Sequence, residues 1–322
     1  MTRASVPPTL NLPEIASGNL RSDLDLTHAE LRSVLDLASS VKSRPASFEK
    51  ALERKYVSLL FEKPSLRTRL TFELAAKQLG ADSVLSTGAI GGREPIKDVA
   101  RNLARWTHCI VARTFAQDTV DSLAQWAKIP VVNALSDMYH PCQVLADMQT
   151  LIEHWGELPG HRLTFVGDGN NVSHSLMLDC ARLGLDVAVV TPPGFEPDEA
   201  IVRTASAFAA ESKSKVIITN DAAEGLKGAD AIYTDVWASM GQEQEWHERA
   251  RLFAAYQVNS ELYSLARPSA LVMHCLPAHR DEEITDEVLE LPSSVIFDQA
   301  ENRLHAQKAL LVMLVRGGGE LR

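Results

Sequence analysis

The sequence runs to 322 residues, with 45% hydrophobic and 23% charged side chains and a formal net charge of −10. That length exceeds one typical core of about 100–200 residues, so two domains are expected. The acidic balance argues against a nucleic-acid partner, which needs a basic face. No apolar run approaches the roughly 20 residues of a bilayer span, and residues 1–13 lack the apolar stretch of a secretory signal. Cys109, Cys142, Cys180 and Cys275 show no disulfide or zinc spacing, so reduced thiols in a cytoplasmic protein are expected.

Taken in chain order, residues 26–41 predict an amphipathic helix. Strands predicted at 56–61, 83–86, 109–113 and 131–134 alternate with helices at 65–79, 96–107 and 119–127. The second half repeats the logic, with strands at 163–167, 187–191, 216–219, 231–235, 271–274 and 295–297. Its helices are predicted at 172–183, 197–210 and 284–289, with a last one at 301–315. Such alternation is the signature of α/β architecture. The expectation is two domains, each a parallel β-sheet flanked by helices, joined by interdomain helices. The joints are a helix at 140–155 followed by residues 156–160, and a second near Leu291-Pro292. The first domain is expected at 1–145 and the second at 146–299. A helix at about 300–322, apolar at Leu304, Leu311 and Val315, is expected to pack back on the first.

The densest chemical signal is Ser65-Leu66-Arg67-Thr68-Arg69. A β run ends at Phe61, Pro64 forbids helix before it, and Ser65 is a good N-cap. Leu66, Leu70 and Leu74 recur at i+4 and predict a core-facing stripe, and Gly80 stops the helix. The first turn of such a helix offers backbone N–H groups and partial positive charge to an anion. Ser65 and Thr68 add hydroxyls, and Arg67 and Arg69 add guanidinium forks that fit phosphate. An ordinary capped helix with solvated arginines is the bland alternative. Arg113 closes a strand at the carboxyl end, where parallel sheets bind ligands. His140-Pro141-Cys142-Gln143 opens the joining helix, with proline at its first position. His140 and the Gln143 amide there are placed to donate hydrogen bonds to a carbonyl or carbamoyl group, unless His140 is only a structural cap.

These residues resemble the aspartate/ornithine carbamoyltransferase family. Its Ser-x-Arg-Thr-Arg and His-Pro-x-Gln motifs stand at 65–69 and 140–143. Segments 165–172, 235–241, 274–277 and 301–305 resemble the ornithine branch, in the expected order. The resemblance implies transfer of the carbamoyl group of carbamoyl phosphate to the δ-amine of L-ornithine, giving citrulline and phosphate without cofactor or metal. It implies that Ser65, Leu66, Arg67, Thr68, Arg113, His140, Gln143 and Arg303 surround carbamoyl phosphate. Asn171, Asp235, Ser239 and Met240 are implied to hold ornithine, with Cys275 and Leu276 beside the reacting amine and carbamoyl group. The first domain would then bind carbamoyl phosphate and the second ornithine. A homotrimer with shared active sites is implied as well. The position from which a neighbouring subunit would reach the site falls at Ala89, which has no side-chain hydrogen bond to give, and Arg93 is the nearby substitute.

Chemistry of this kind must orient two reactants, free an amine whose reference pKa is about 10.4, and stabilise charge on the carbamoyl oxygen and leaving phosphate. Arg113, His140 and Thr68 are the candidate oxyanion donors, and Arg67 and Arg303 the candidates to neutralise phosphate. Cys275 has three readings: a covalent nucleophile, an amine-orienting group working with Asp235, or a buried strand thiol. His274, Cys275 and His279 are close in sequence, but Leu276-Pro277 between them fits a strand end better than a zinc knuckle. Three alternatives differ in class. A dinucleotide-binding oxidoreductase would use Gly167-Asp168-Gly169, yet the third glycine and the ribose-binding acid are missing. A sibling transferase would take aspartate, putrescine or an acylated ornithine. A non-catalytic scaffold would have lost an arginine, His140 or Cys275.

Overall fold

The computed structural model describes residues 14–238 and 246–318, with the backbone alone at 10–11 and 320–321. The chain forms two compact units, Met1–Asp137 with Arg303–Arg322, and Met138–Asn302. Each is a parallel sheet with helices on its faces.

In the first unit, β1 (Leu10–Asn11) precedes α1 (His28–Ser43), which a complete capping box opens: Thr27 accepts from the Glu30 N–H, and Glu30 reaches back to the Thr27 N–H. There follow β2 (Tyr56–Phe61), α2 (Leu66–Gln78), β3 (Asp82–Thr87), α3 (Ile96–Trp106), β4 (Cys109–Arg113), α4 (Gln117–Ala127) and β5 (Val131–Leu135). The strands pair in parallel in the order β3-β2-β4-β5. Fully buried runs such as Cys109–Arg113 are what a sheet covered on both faces requires. Strand β4 packs Ile110 and Ala112 among Ala100, Val120, Leu123 and Val131 from α3, α4 and β5. Register places Phe61 beside Arg113, so the loops leaving β2 and β4 emerge at the same carboxyl edge.

In the second unit, α5 (Pro141–Trp155) leads into β6 (Arg162–Val166), α6 (Asn171–Arg182), β7 (Asp186–Val190), α7 (Glu199–Ser212), β8 (Val216–Thr219), α8 (Ala222–Leu226) and β9 (Ala231–Thr234). Then come α9 (Trp246–Phe253), α10 (Ser260–Tyr263), β10 (Leu271–His274), α11 (Asp286–Leu289) and the start of α12 (Ile296–Arg316), whose residues from Arg303 belong to the first unit. Strand order is β10-β9-β6-β7-β8, all parallel. The chain ends with β11 (Glu320–Leu321), antiparallel to β1. Among the described residues no helix is long and apolar enough to cross a membrane.

Three expectations change. The strand expected at 295–297 is the start of α12. Val295 and Ile296 are buried, Phe297 is 68% exposed and Gln299 is buried again, the spacing of a helix. The leucine stripe of α2 does not face this chain's core, since Leu66, Leu70 and Leu74 are 71%, 45% and 44% exposed. Thr68, Phe72, Ala75 and Ala76 are the buried face instead. Finally, the unit boundary falls ahead of α5 rather than within it. The buried Asp147 and Thr150 of α5 are hydrogen-bonded to Gln299 and Asn302, which places the whole helix with the second unit.

Candidate active site

In the first unit the start of α2 is built as the sequence pattern requires. The extended backbone of Ser65 ends the approach from β2, and its hydroxyl accepts from the Thr68 N–H at 3.3 Å. Thr68 is fully buried. Its hydroxyl accepts from Arg303 Nη2 at 2.7 Å and from Arg113 Nη1 at 3.4 Å. Arg113 and Arg303 are 8% and 3% exposed. Two cations meeting on one neutral oxygen, at the positive end of a helix, form a site whose natural complement is an anion. Leu66 and Arg67 occupy the same first turn. Arg69 does not join them: it is turned outward and bonded to Glu73 at 2.9 Å, an ordinary i,i+4 pair.

Two residues that the motifs did not single out shape this cradle. Glu62 accepts from the Ile90 N–H at 2.9 Å and the Phe115 N–H at 3.0 Å, tying the loops after β3 and β4 to the end of β2. Lys63 is buried and lies over the Phe115 ring at 4.8 Å. The only hint in the sequence was their position between a strand end and an N-cap. Ala89 and Arg93 are exposed in the loop after β3. That loop lines a cavity of about 530 Å³ with Leu60 and Val99.

The second unit carries the other candidates. His140 precedes Pro141, is 4% exposed and makes no side-chain cap bond, so the structural-cap alternative does not hold. Its N–H donates to Ser175 Oγ at 3.0 Å. Gln143 is buried on the first turn of α5, and its Nε2 donates to Asp147 Oδ1 at 2.8 Å. A carboxylate can only accept here, so the amide nitrogen must face Asp147. Its Oε1 is buried without a hydrogen-bond partner, so the open position of the amide is an acceptor. Gln143 is thus placed to accept, where the sequence reading made it a donor.

Asp235 follows β9 and is 8% exposed. Its carboxylate accepts from Cys275 Sγ at 2.9 Å, from the Val236 N–H at 2.8 Å and from Asn170 Nδ2 at 3.0 Å. The asparagine holding Asp235 is therefore Asn170, which also caps α6 through its Oδ1. Asn171 is the next residue and opens the helix. Ser239 and Met240 lie outside the described residues. The segment leading to them is anchored by Arg249, which sequence reasoning missed: it donates to Asp168 at 2.6 Å and to the Trp237 carbonyl at 3.0 Å. Gly169 has a physical reason besides nucleotide binding. A Cβ there would stand 2.3 Å from Pro197 N and 2.5 Å from Phe195 O, so the loop's own backbone fills the space.

Cys275 is part-buried beyond β10. Leu276 has a left-handed φ of +59°, a strained conformation for a branched residue that turns the chain directly after the thiol. His274 supports that turn: Nδ1 accepts from the Leu276 N–H at 2.9 Å and Nε2 meets Glu283 at 3.0 Å. Among the described residues Asp235, His274 and Cys275 lie within ligand spacing of one another, as do His279, Glu282 and Glu283. The first set has zinc-type donors, yet His274 has both ring nitrogens engaged and Cys275 is bonded to Asp235.

Comparison with known proteins covers nearly the whole chain. A family described as the aspartate/ornithine carbamoyltransferase carbamoyl-P binding domain matches residues 19–153, and its Asp/Orn binding domain matches residues 159–314. An ornithine carbamoyltransferase of Parafrankia sp. is 50% identical over 301 residues, covering 91% of this chain and 94% of the relative. One of Thermococcus kodakarensis is 46% identical over 298 residues, with 91% and 95% covered. The solved structure of ornithine carbamoyltransferase from Pyrococcus furiosus superposes with a TM-score of 0.91 at 45% identity, covering 94% of this chain and 99% of that one.

Proposed function

The chain belongs to the aspartate/ornithine carbamoyltransferase family, and from that premise we propose that it transfers the carbamoyl group of carbamoyl phosphate to the δ-amine of L-ornithine. The products are L-citrulline and phosphate. The observation that carries the reading is the convergence of Arg113 and Arg303 on Thr68 at the start of α2.

Carbamoyl phosphate is held by Ser65, Leu66, Arg67 and Thr68 with Arg113 and Arg303, through helix N–H groups, hydroxyls and guanidinium forks. Arg67 and Arg303 neutralise the leaving phosphate, while Thr68 and Arg113 stabilise charge on the carbamoyl oxygen. His140 assists as a donor, Gln143 accepts from the carbamoyl –NH₂, and Cys275 and Leu276 complete the surroundings. Ornithine is held by Asn171, Asp235, Ser239 and Met240. Its δ-amine attacks the carbamoyl carbon, the bond from that carbon to the phosphate oxygen breaks, and the amine's proton passes to the departing phosphate. Removing the amine from water beside cationic groups favours its neutral, nucleophilic form. Cys275, whose thiol donates to Asp235, orients the amine and forms no covalent intermediate. Above the enzyme-free breakdown of carbamoyl phosphate, citrulline and phosphate released in equal amounts only when both substrates are present is the expected result. Enzyme-dependent phosphate release that does not need ornithine would reject it.

We also propose a cytoplasmic homotrimer. The exposed leucines of α2 and the edge strand β3, with Val84 60% exposed, give one chain an apolar face suited to another copy. The loop bearing Ala89 and Arg93 follows that strand directly. Light scattering should give the mass of three chains; a single-chain mass would remove the shared site.

A further inference from the structure

The buried residue Asp147 has no part in the roles assigned above. It lies on α5, fully buried, one turn beyond Gln143. Its Oδ1 accepts from two side-chain amides, Gln143 Nε2 at 2.8 Å and Gln299 Nε2 at 2.7 Å. Gln299 is itself fully buried, and its Oε1 accepts from the His274 N–H at 3.0 Å. His274 immediately precedes Cys275 and holds the Leu276 turn. Burial of Tyr233, with Asp147 among the negative groups around it, pushes its phenol well above the usual tyrosine range, so that ring stays neutral beside the carboxylate. One carboxylate therefore ends two chains of hydrogen bonds, one from the carbamoyl-reading amide and one from the backbone of the cysteine turn.

We propose that Asp147 is a positioning and specificity residue: it fixes the Gln143 amide with its oxygen toward the substrate, and through Gln299 it sets the height of the His274–Leu276 turn. The inference rests on the carbamoyl-transfer reading. An amide has two ends of nearly equal shape and opposite polarity, and an acceptor oxygen fixed on one side decides which end faces it. With Oε1 outward, Gln143 accepts from a carbamoyl –NH₂ and is left unsatisfied by the methyl group of acetyl phosphate. The enzyme then discriminates between two acyl phosphates of almost identical size, as buried polar groups do when an analogue leaves them unpaired. If the amide were free to turn, most of that discrimination would vanish.

The experiment measures the affinity of the full-length enzyme for carbamoyl phosphate and acetyl phosphate, with ornithine KM recorded alongside. Asp147→Ala should lower the carbamoyl-to-acetyl preference by about tenfold, the weight of one hydrogen bond. Asp147→Asn keeps an oxygen for both amides and should restore most of the preference, which a purely structural role would not predict. Gln299→Leu cuts the second chain alone, so it should raise ornithine KM severalfold and leave the acyl-phosphate preference intact. In a Gln143→Leu background, Asp147→Ala should have no further effect on the preference. An Asp147→Ala enzyme that keeps the wild-type preference overturns the proposal. If that variant does not fold, an Asp147→Asn enzyme that loses the whole preference, or a Gln299→Leu enzyme that loses it, does so equally. Wild-type enzyme that makes no citrulline would instead reject the carbamoyl-transfer reading itself.

Discussion

Replacing Thr68 by valine isolates the cradle's central oxygen. Shape is conserved, and the N-cap survives, because Ser65 bonds the backbone N–H of residue 68 and not its side chain. What is lost is the acceptor for Arg303 at 2.7 Å and, more weakly, for Arg113 at 3.4 Å. A hydrogen bond to a charged group contributes about 1.5–3 kcal/mol, and the longer contact adds little. In phosphate-free buffer the variant should therefore melt about 3–12 °C lower, at about 2–4 °C per kcal/mol for a unit of this size. Saturating inorganic phosphate stabilises each protein by RT ln(1 + [L]/Kd), and a variant that has lost the Thr68 hydroxyl gains less, so the gap between variant and wild type should widen. Differential scanning calorimetry with and without phosphate reads both quantities. A gap that stays the same in phosphate would mean the arginines only brace the fold, and the anion-site reasoning would fail.

Other perturbations separate the remaining elements. Cys275→Ala removes the donor to Asp235 and should raise ornithine KM about tenfold, with carbamoyl phosphate KM near wild type; Cys275→Ser, which keeps a donor, should recover most of it. A serine enzyme as impaired in kcat as the alanine one would point back to covalent chemistry. Arg249→Ala leaves Asp168 without its guanidinium partner, at 2.6 Å in the wild type, and should cost about 3 kcal/mol in urea denaturation; under 1 kcal/mol would show that the pair does not hold the loop. Burial holds the His174 imidazole below the usual histidine range, with its ring bonded to the Met138 carbonyl and the Asp198 N–H. The unfolded chain then binds the extra proton first, so stability present above about pH 6.5 is lost as pH falls through the folded value. Denaturation midpoints between pH 5 and 7 should show a steeper slope for wild type than for His174→Gln, and equal slopes would contradict the assignment.

Much of this was legible in the sequence because local rules and tertiary packing agree. The alternation of β-branched runs with helical periods gave both parallel sheets, and Ser65 behind Pro64 marked the start of α2. Where the reading failed, the deciding partner was remote in sequence. Leu66, Leu70 and Leu74 have perfect core spacing, but the buried face of α2 follows Thr68 and Phe72. Residues 295–297 are β-branched and aromatic, yet the burial of Val295, Ile296 and Gln299 continues as a helix. The hold of Asn170 on Asp235, 65 positions away, had no local signal. Arg249 and Asp147 carried no local signal, since their roles exist only through Asp168, Trp237, Gln143 and Gln299.

The choice of acceptor amine falls to the second unit. Asp235, held by Asn170, Val236 and Cys275, is suited to a cationic amino group rather than to the second carboxylate of aspartate. The direct measurement is kcat/KM for L-ornithine, putrescine, N-acetyl-L-ornithine, L-lysine and L-aspartate at saturating carbamoyl phosphate. The expected result is a value for L-ornithine at least about a hundredfold above every other amine, a floor well below the roughly 10⁴-fold by which a hydrogen-bonding site rejects analogues. A higher value for any other amine would contradict the proposed substrate while leaving the phosphate cradle in place.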